Sequence, residues 1–168
     1  MSHLILVRHG QSIWNLENRF TGWVDVELSE QGRKEATKAG ELIRDLNLDF
    51  KSIYTSYLKR AKETLDIILD VNNLKNKEII KAWELNERHY GNLTGLNKDE
   101  MRKKLSEEKV HELRRSWDTP PDKLDRGSPY HPINNQIYKD IPLDHIPDTE
   151  SLKDTYERVI PYYKKNIM

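Results

Sequence analysis

An arginine, a histidine and a glycine stand together at Arg8, His9 and Gly10, directly after a short apolar run. The neutral imidazole of His9 is a competent nucleophile toward phosphorus. A transferring phosphoryl group spreads negative charge over its equatorial oxygens, which guanidinium groups such as that of Arg8 bind well. Arg60 could reach the same position from a predicted helix, and Gly10 would let the backbone approach an anion closely. These residue types predict phosphoryl transfer.

Three adjacent residues are a weak motif, because a histidine can also serve only to hydrogen-bond the end of a strand.

The other histidines carry less information. His89 lies inside a longer motif, where we expect it to orient its neighbours. The remaining ones have no motif context, and they are His3, His111, His131 and His145. The four tryptophans are expected to pack or to line a lid rather than to bind a ligand: Trp14, Trp23, Trp83 and Trp117.

The elements that must position His9 alternate along the chain. The apolar run at residues 4–7 predicts a central parallel strand, and its carboxyl end carries His9, where open α/β sheets bind ligands. Further strands are predicted at 52–55 and 78–80. Ser29 is expected to cap a helix that runs to about Leu46, and Arg60 lies early in the helix after the second strand. The apolar stripe of the first helix is predicted to be Ala36, Ala39, Leu42, Ile43 and Leu46. This alternation predicts a three-layer α/β/α fold with a mainly parallel sheet.

The second half of the chain is more polar. Charged helices are predicted over residues 98–117, and residues 118–150 hold most of the prolines, which favours a long ordered loop, a lid or a flexible insertion. Ser151 should cap a last helix, in which Pro161 either produces a kink or occupies a tolerated position. Three strands are few for such a sheet, and no strand follows the last helix. We therefore expect residues 1–168 to form one domain from which C-terminal strands are missing.

Composition excludes several classes of function. The 28 basic residues balance the 28 acidic ones, so the chain has no overall positive field to attract nucleic acid or an anionic membrane. It has no cysteine, which excludes disulfides and thiolate chemistry. There is no apolar run of membrane-spanning length and no metal-binding spacing. The sequence predicts a cytoplasmic protein without a metal cofactor, and it leaves homo-oligomerisation open.

Further blocks follow the first motif in order. They are NRFTGWVDVELSEQG, TSYLKRAKETL, ELNERHYGNLTGLNK, RRSWDTPP and DTESLKDTYERVIPYY. Together with HLILVRHGQSIWN they resemble the signature blocks of the cofactor-dependent phosphoglycerate mutases, within the histidine phosphatase superfamily. The resemblance covers nearly the whole chain. The arginine-histidine-glycine block is shared by the superfamily, whereas ERHYG, the paired arginines and TGLNK are specific to the mutase branch.

The resemblance implies a role for each matching residue. His9 would be the nucleophile that becomes phosphohistidine, Arg8 and Arg60 would hold the transferring group, and Glu87 would donate and accept the proton of the substrate hydroxyl. The substrates would be 3-phosphoglycerate and 2-phosphoglycerate, with 2,3-bisphosphoglycerate as primer and no metal. The implied substrate-binding residues are Arg8, Asn15, Thr21, Gly22, Arg60, Glu87, Tyr90, Lys98, Arg114 and Arg115.

Simpler interpretations stay open for several of these residues. Glu87 could form a surface ion pair with Arg88, and Arg114 and Arg115 could be solvated on a charged helix. The chain could also be a histidine-type phosphatase of small phosphoesters or a phosphoanion-binding protein without catalysis. The second catalytic histidine of the mutases lies in a His-Gly-Asn block, which is absent here. We therefore expect the 168-residue chain alone to fold poorly or to be nearly inactive.

Overall fold

The computed structural model describes residues 3–168, which contain six α-helices and a two-stranded parallel sheet. The strands are β1 (Ile53–Thr55) and β2 (Ile79–Lys81). The helices are α1 (Ile13–Leu16), α2 (Glu30–Asp45), α3 (Lys59–Val71), α4 (Lys98–Leu105), α5 (Glu107–Arg115) and α6 (Leu152–Asn166). The predicted α/β class with a parallel sheet is confirmed.

The chain divides into two compact units, each made of two segments. The first unit ends its first segment at Ile13 and resumes at Asp25–Ala82; the second comprises Trp14–Val24 and Trp83–Met168. The sheet, α2 and α3 belong to the first unit, and α4, α5 and α6 belong to the second. His9 and Arg60 therefore lie in the first unit, whereas Glu87 lies in the second.

The sheet of the first unit is a parallel pair. Ile53 lies opposite Ile79 and Thr55 opposite Lys81. The N–H of Ala82 donates to the carbonyl of Thr55 at 2.9 Å and extends the pairing beyond β2. α3 forms the crossover that parallel neighbours require. The strands predicted at 52–55 and 78–80 are confirmed, the second displaced by one residue.

The central strand predicted at residues 4–7 is wrong. These residues lie in no strand, and Leu4, Leu6 and Val7 are 52%, 82% and 46% exposed. An apolar run records the preference of its side chains for burial. A strand also needs a neighbouring backbone with which to exchange hydrogen bonds, and in the described sheet β1 and β2 pair only with each other. His9 therefore lies in a loop, and no strand precedes it among the described residues.

The cap predicted for α2 is confirmed. Its predicted apolar stripe is confirmed in part, since Ala36 is buried and Ala39 and Ile43 are half-buried. Ser29 Oγ accepts the N–H of Gly32 at 3.1 Å. Leu42 and Leu46 are 57% and 55% exposed. The buried positions are small residues spaced by one helical turn: Gly32, Ala36 and Gly40. A Cβ on Gly40 would lie 3.0 Å from Cβ of Val71 in α3, so the close approach of two helices decides which face is buried.

The core of the second unit is formed by α4, α5 and the segment that follows α1. It contains Phe20, Leu93, Met101, Val110 and Leu113, with Tyr90 packed against it. The predicted charged helices at 98–117 are confirmed as two helices. Ser106 separates them because it adopts a left-handed backbone with φ of 82°, and its Oγ accepts the N–H of Lys109 to begin α5.

Residues 118–150 contain short 3-10 turns at Pro132–Asn134, Gln136–Tyr138 and Leu143–His145. Buried side chains fix the segment within the second unit, among them His131, Tyr138 and Ile146. The Tyr138 hydroxyl donates to the carbonyl of Trp23 at 2.7 Å. This segment is a long loop with its own buried residues, and its role as a lid stays a prediction.

The predicted last helix is confirmed as α6. Ser151 and Asp154 form a reciprocal capping box at its start, and the helix continues through Pro161. Within residues 3–168, no helix combines the length and the apolar character that crossing a bilayer requires.

Candidate active site

His9 is held at both ring nitrogens. Its Nδ1 lies 2.7 Å from the carbonyl oxygen of Gly10, and Arg60 Nε–H donates to its Nε2 at 3.2 Å. A carbonyl can only accept and a guanidinium can only donate, so the proton lies on Nδ1 and Nε2 carries the lone pair. This is the tautomer in which Nε2 can attack phosphorus.

The histidine loop, residues 3–11, carries His9. It is attached to α3 through the hydroxyl group of Thr64. The N–H of Gly10 donates to Thr64 Oγ1 at 3.2 Å, and the Thr64 hydroxyl donates to the carbonyl of Arg60 at 2.8 Å. Arg60 and Thr64 lie one helical turn apart and both are buried. The loop and the guanidinium are therefore fixed by the same helix. The sequence identified Arg60, but nothing in the sequence singled out Thr64.

The same loop also contacts the start of α2. The N–H of Gln11 donates to Glu35 Oε2 at 2.8 Å, and the Ser29 hydroxyl donates to Gln11 Oε1 at 2.8 Å. A Cβ on Gly10 would lie 2.2 Å from the carbonyl oxygen of Gly32. The structure thus requires glycine at position 10 for packing against α2, a role that the sequence did not predict. Approach to an anion remains a separate prediction for this residue.

The two predicted arginines of the first unit have different surroundings. Arg60 is completely buried, whereas Arg8 is exposed. A buried guanidinium is fixed in advance and can act on a bound anion without losing much side-chain freedom. Arg60 is therefore the more restrained of the two arginines that are predicted to hold the transferring group.

In the second unit, the predicted substrate residues Gly22, Tyr90 and Lys98 lie around one aromatic cluster. Gly22 has a φ of +60°, and a Cβ there would lie 3.0 Å from the carbonyl oxygen of Arg88. The Tyr90 ring packs on Phe20 with centroids 5.3 Å apart, and Lys98 Nζ lies 5.8 Å from the Phe20 centroid. The structure brings Gly22 to Tyr90 and Lys98, from which it is far apart in sequence.

Arg88 joins this cluster to the end of α5. Its guanidinium lies 4.8 Å from the Tyr90 ring centroid, and Nη2–H donates to the carbonyl of Arg114 at 2.8 Å. Arg88 is buried, so an ion pair of Glu87 with Arg88 would not lie at the surface. The sequence analysis predicted Glu87 and Tyr90 as site residues but not Arg88. The position of Arg88 between these two residues was the signal that could have identified it.

Several polar atoms of the second unit are buried without a hydrogen-bond partner among residues 3–168. They include Thr21 Oγ1, Thr94 Oγ1 and Arg88 Nη1. Buried polar groups normally have partners, because an unsatisfied one costs about 1–3 kcal/mol. Phosphate or carboxylate oxygens would accept from all three groups. These atoms fit an anionic ligand.

The remaining predicted residues of this unit differ in exposure. Glu87 follows the 3-10 turn Trp83–Leu85 and is half-buried. Asn15 in α1 and Arg114 near the end of α5 are also half-buried, whereas Arg115 is exposed. The exposure of these four side chains does not test their predicted roles, which stay predictions.

His89 is buried and has a structural environment. Its Nδ1 accepts the N–H of Gly91 at 2.9 Å, and its ring lies 6.1 Å from that of His131. Burial, followed by the neighbouring His131, lowers the pKa of His89 to about 3. His131 Nε2 in turn lies 3.1 Å from Asp148 Oδ1. A histidine that stays neutral and holds its neighbours agrees with the orienting role expected for His89.

Among the residues from 3 to 168, no three or more histidine, aspartate or glutamate side chains are grouped so as to hold a metal ion. Metal independence of the reaction stays a prediction.

The chain is similar to several known proteins. The family model described as histidine phosphatase superfamily (branch 1) matches residues 4–135. The chain is 61% identical to the 2,3-bisphosphoglycerate-dependent phosphoglycerate mutase of Pelagibacter ubique (strain HTCC1062), over 97% of this chain and 68% of the relative. It is 52% identical to the protein of that name from Hydrogenobaculum sp. (strain Y04AAS1), over 98% and 66%. The chain thus spans about two thirds of the length of these curated relatives.

A solved structure shares the fold. A mycobacterial glucosyl-3-phosphoglycerate phosphatase aligns with a TM-score of 0.69 at 23% identity, covering 95% of this chain and 61% of that protein. At this identity the likeness concerns the fold alone.

Proposed function

Because the chain belongs to the histidine phosphatase superfamily (branch 1), and within it to the 2,3-bisphosphoglycerate-dependent phosphoglycerate mutases, we propose that it interconverts 3-phosphoglycerate and 2-phosphoglycerate. The observation that carries the proposal is the fixed tautomer of His9, whose Nε2 lone pair faces the buried guanidinium of Arg60 at 3.2 Å. A nucleophilic nitrogen beside a preorganised cation is what transfer of an anionic group requires.

2,3-Bisphosphoglycerate, when bound, supplies the phosphoryl group that charges the histidine. Thr21 and Arg88, whose buried polar atoms lack partners within residues 3–168, fit such an anion, and Tyr90, Lys98, Arg114 and Arg115 are further candidates to hold it. Bidentate guanidinium groups suit both a carboxylate and a phosphate.

His9 carries the covalent step. Its Nε2 forms the P–N bond while the P–O bond of the donor breaks, and the electron pair of that bond stays on the leaving oxygen. Arg8 and Arg60 stabilise the charge on the transferring group. Gly10 holds the Nδ1 proton throughout, so the imidazole remains oriented.

Glu87 manages the proton. In its protonated form it donates to the leaving oxygen, and as a carboxylate it later takes the proton of the acceptor hydroxyl as that oxygen attacks the phosphohistidine.

A mutase assay tests the proposal. With 3-phosphoglycerate and a trace of 2,3-bisphosphoglycerate, we expect this chain to form 2-phosphoglycerate slowly, because residues 1–168 contain no His-Gly-Asn block. We expect Glu87→Gln to slow this formation by about 100-fold or more. Glu107→Gln, on the exposed start of α5, is the matched control and should leave the rate unchanged. Free phosphate without 2-phosphoglycerate would contradict the proposal and favour the histidine-type phosphatase.

A cytoplasmic location, homo-oligomerisation and the lack of nucleic-acid or membrane partners remain predictions.

A further inference from the structure

A buried ion pair lies beside the segment that carries Glu87. Arg158 of α6 binds Glu150 through two hydrogen bonds, Nε to Oε1 at 2.7 Å and Nη2 to Oε2 at 2.9 Å. Their side chains are only 8% and 5% exposed. A buried ion pair gains little net stability, because desolvation of both charges offsets their attraction. The contacts that Arg158 and Glu150 make to the backbone therefore indicate the role of the pair.

Arg158 and Glu150 bind the backbone on both sides of Glu87. On the N-terminal side, Arg158 Nη1–H donates to the carbonyls of Glu84 at 2.7 Å and Asn86 at 3.2 Å. On the C-terminal side, Glu150 Oε2 accepts the N–H of His89 at 2.8 Å, and the Glu150 N–H donates to the carbonyl of His89 at 3.1 Å.

We propose that Arg158 and Glu150 are positioning residues, which hold the backbone from Glu84 to His89 and so fix the direction in which Glu87 presents its carboxyl group. The inference rests on the proposed role of Glu87 as proton donor and acceptor. Proton transfer depends steeply on distance and angle, and a misplacement of about 1 Å can cost about 100-fold in rate. A lysine at position 158 would keep the charge but could not bind Glu150 and two carbonyls with one planar group.

The test compares two phosphoryl donors of different leaving-group chemistry. Transfer from 2,3-bisphosphoglycerate to His9 expels an alkoxide, which needs a proton. Transfer from 4-nitrophenyl phosphate expels a stable phenolate, which does not. We expect Arg158→Lys to lower the rate of His9 phosphorylation by the bisphosphate about 10- to 100-fold and to leave the rate with the aryl phosphate within about 3-fold of wild type. Equal losses with both donors would overturn the proposal, because general damage to the fold affects both reactions.

A double-mutant comparison separates positioning from other effects. If Arg158 acts through Glu87, then Arg158→Lys causes no further loss in a Glu87→Gln background. A full additional loss there contradicts the proposal. The matched control is Arg126→Lys, since Arg126 also pairs with an acidic residue of the second unit, Asp148 at 2.9 Å, but makes none of the contacts to residues 84–89 described above.

Hydrogen exchange provides a readout that is independent of activity. The His89 amide donates to Glu150, so Glu150→Gln and Arg158→Lys should speed its exchange at least 10-fold, while Arg126→Lys should not. Unchanged exchange would overturn the proposed hold on the segment. If neither donor phosphorylates wild-type His9, the proposed function fails, and the exchange rate still decides whether the ion pair fixes these residues.

Discussion

At the scale of single residues, function depends on which atom of each side chain is available. His9 is oriented by one carbonyl and one guanidinium, and the same two contacts determine which nitrogen carries the proton. The motif in the sequence was sufficient to select His9 and Arg60. It could not show the tautomer, because that depends on the fold bringing Arg60 to His9 from 51 residues away in the chain.

His89 supplies a test at this scale. Its pKa is lowered to about 3 from 6.5, mainly by burial and then by His131, with Asp148 opposing and Arg158 assisting the shift. The unfolded chain therefore takes up a proton there below about pH 6.5, while the folded protein does not. We expect the free energy of unfolding to fall by about 1.4 kcal/mol per pH unit from this residue as the pH drops toward 3.

The measurement is urea unfolding at pH 7 and pH 5. Between them wild type should lose about 2 kcal/mol more than His89→Asn, in which the amide oxygen can still accept the N–H of Gly91. His111→Asn, on the exposed side of α5, should follow wild type. Parallel losses in wild type and His89→Asn would show that His89 is not kept neutral in the folded protein.

At the scale of elements, local signals were reliable and packing signals were not. The caps Ser29 and Ser151 were predicted correctly, since a cap is decided by residues within one turn. The buried face of α2 was predicted correctly at Ala36 and incorrectly at Leu42 and Leu46, because large apolar residues were given more weight than the glycines. The strand expected at residues 4–7 failed for a similar reason: its formation depends on a neighbouring backbone and not on its own composition.

Gly32 tests the packing of α2. Alanine is favoured over glycine inside a helix by about 1 kcal/mol, so propensity alone predicts that Gly32→Ala stabilises the protein. The new Cβ, however, would lie 2.0 Å from the carbonyl oxygen of Gln11. We expect a net loss of about 1–3 kcal/mol in the free energy of unfolding, measured by urea denaturation.

The control for this substitution is Gly127→Ala. A Cβ at Gly127 would approach only the side-chain oxygen of Asp125, at 2.9 Å, and that carboxylate can move. If Gly32→Ala proved as stable as Gly127→Ala, the close contact between α2 and the histidine loop would be incorrect.

At the scale of the whole molecule, the ordered series of motifs was more informative than composition. The balanced charge excluded a general polyanion binder, and the blocks along the chain identified the family whose model matches residues 4–135. The Glu150–Arg158 pair was not predicted from the sequence. Its contacts to residues 84–89 join positions 61 to 74 residues apart, and neither side chain belongs to a recognisable chemical motif by itself.

The central claim is that His9 accepts a phosphoryl group from 2,3-bisphosphoglycerate. The direct measurement is incubation of the purified chain with this donor, followed by mass spectrometry at neutral pH and acid treatment of the product. We expect one acid-labile phosphoryl group on His9, its absence in His9→Ala, and a rate of formation lowered about 100-fold in Arg60→Lys. A chain that acquires no phosphoryl group, or acquires it equally in His9→Ala, would contradict the claim.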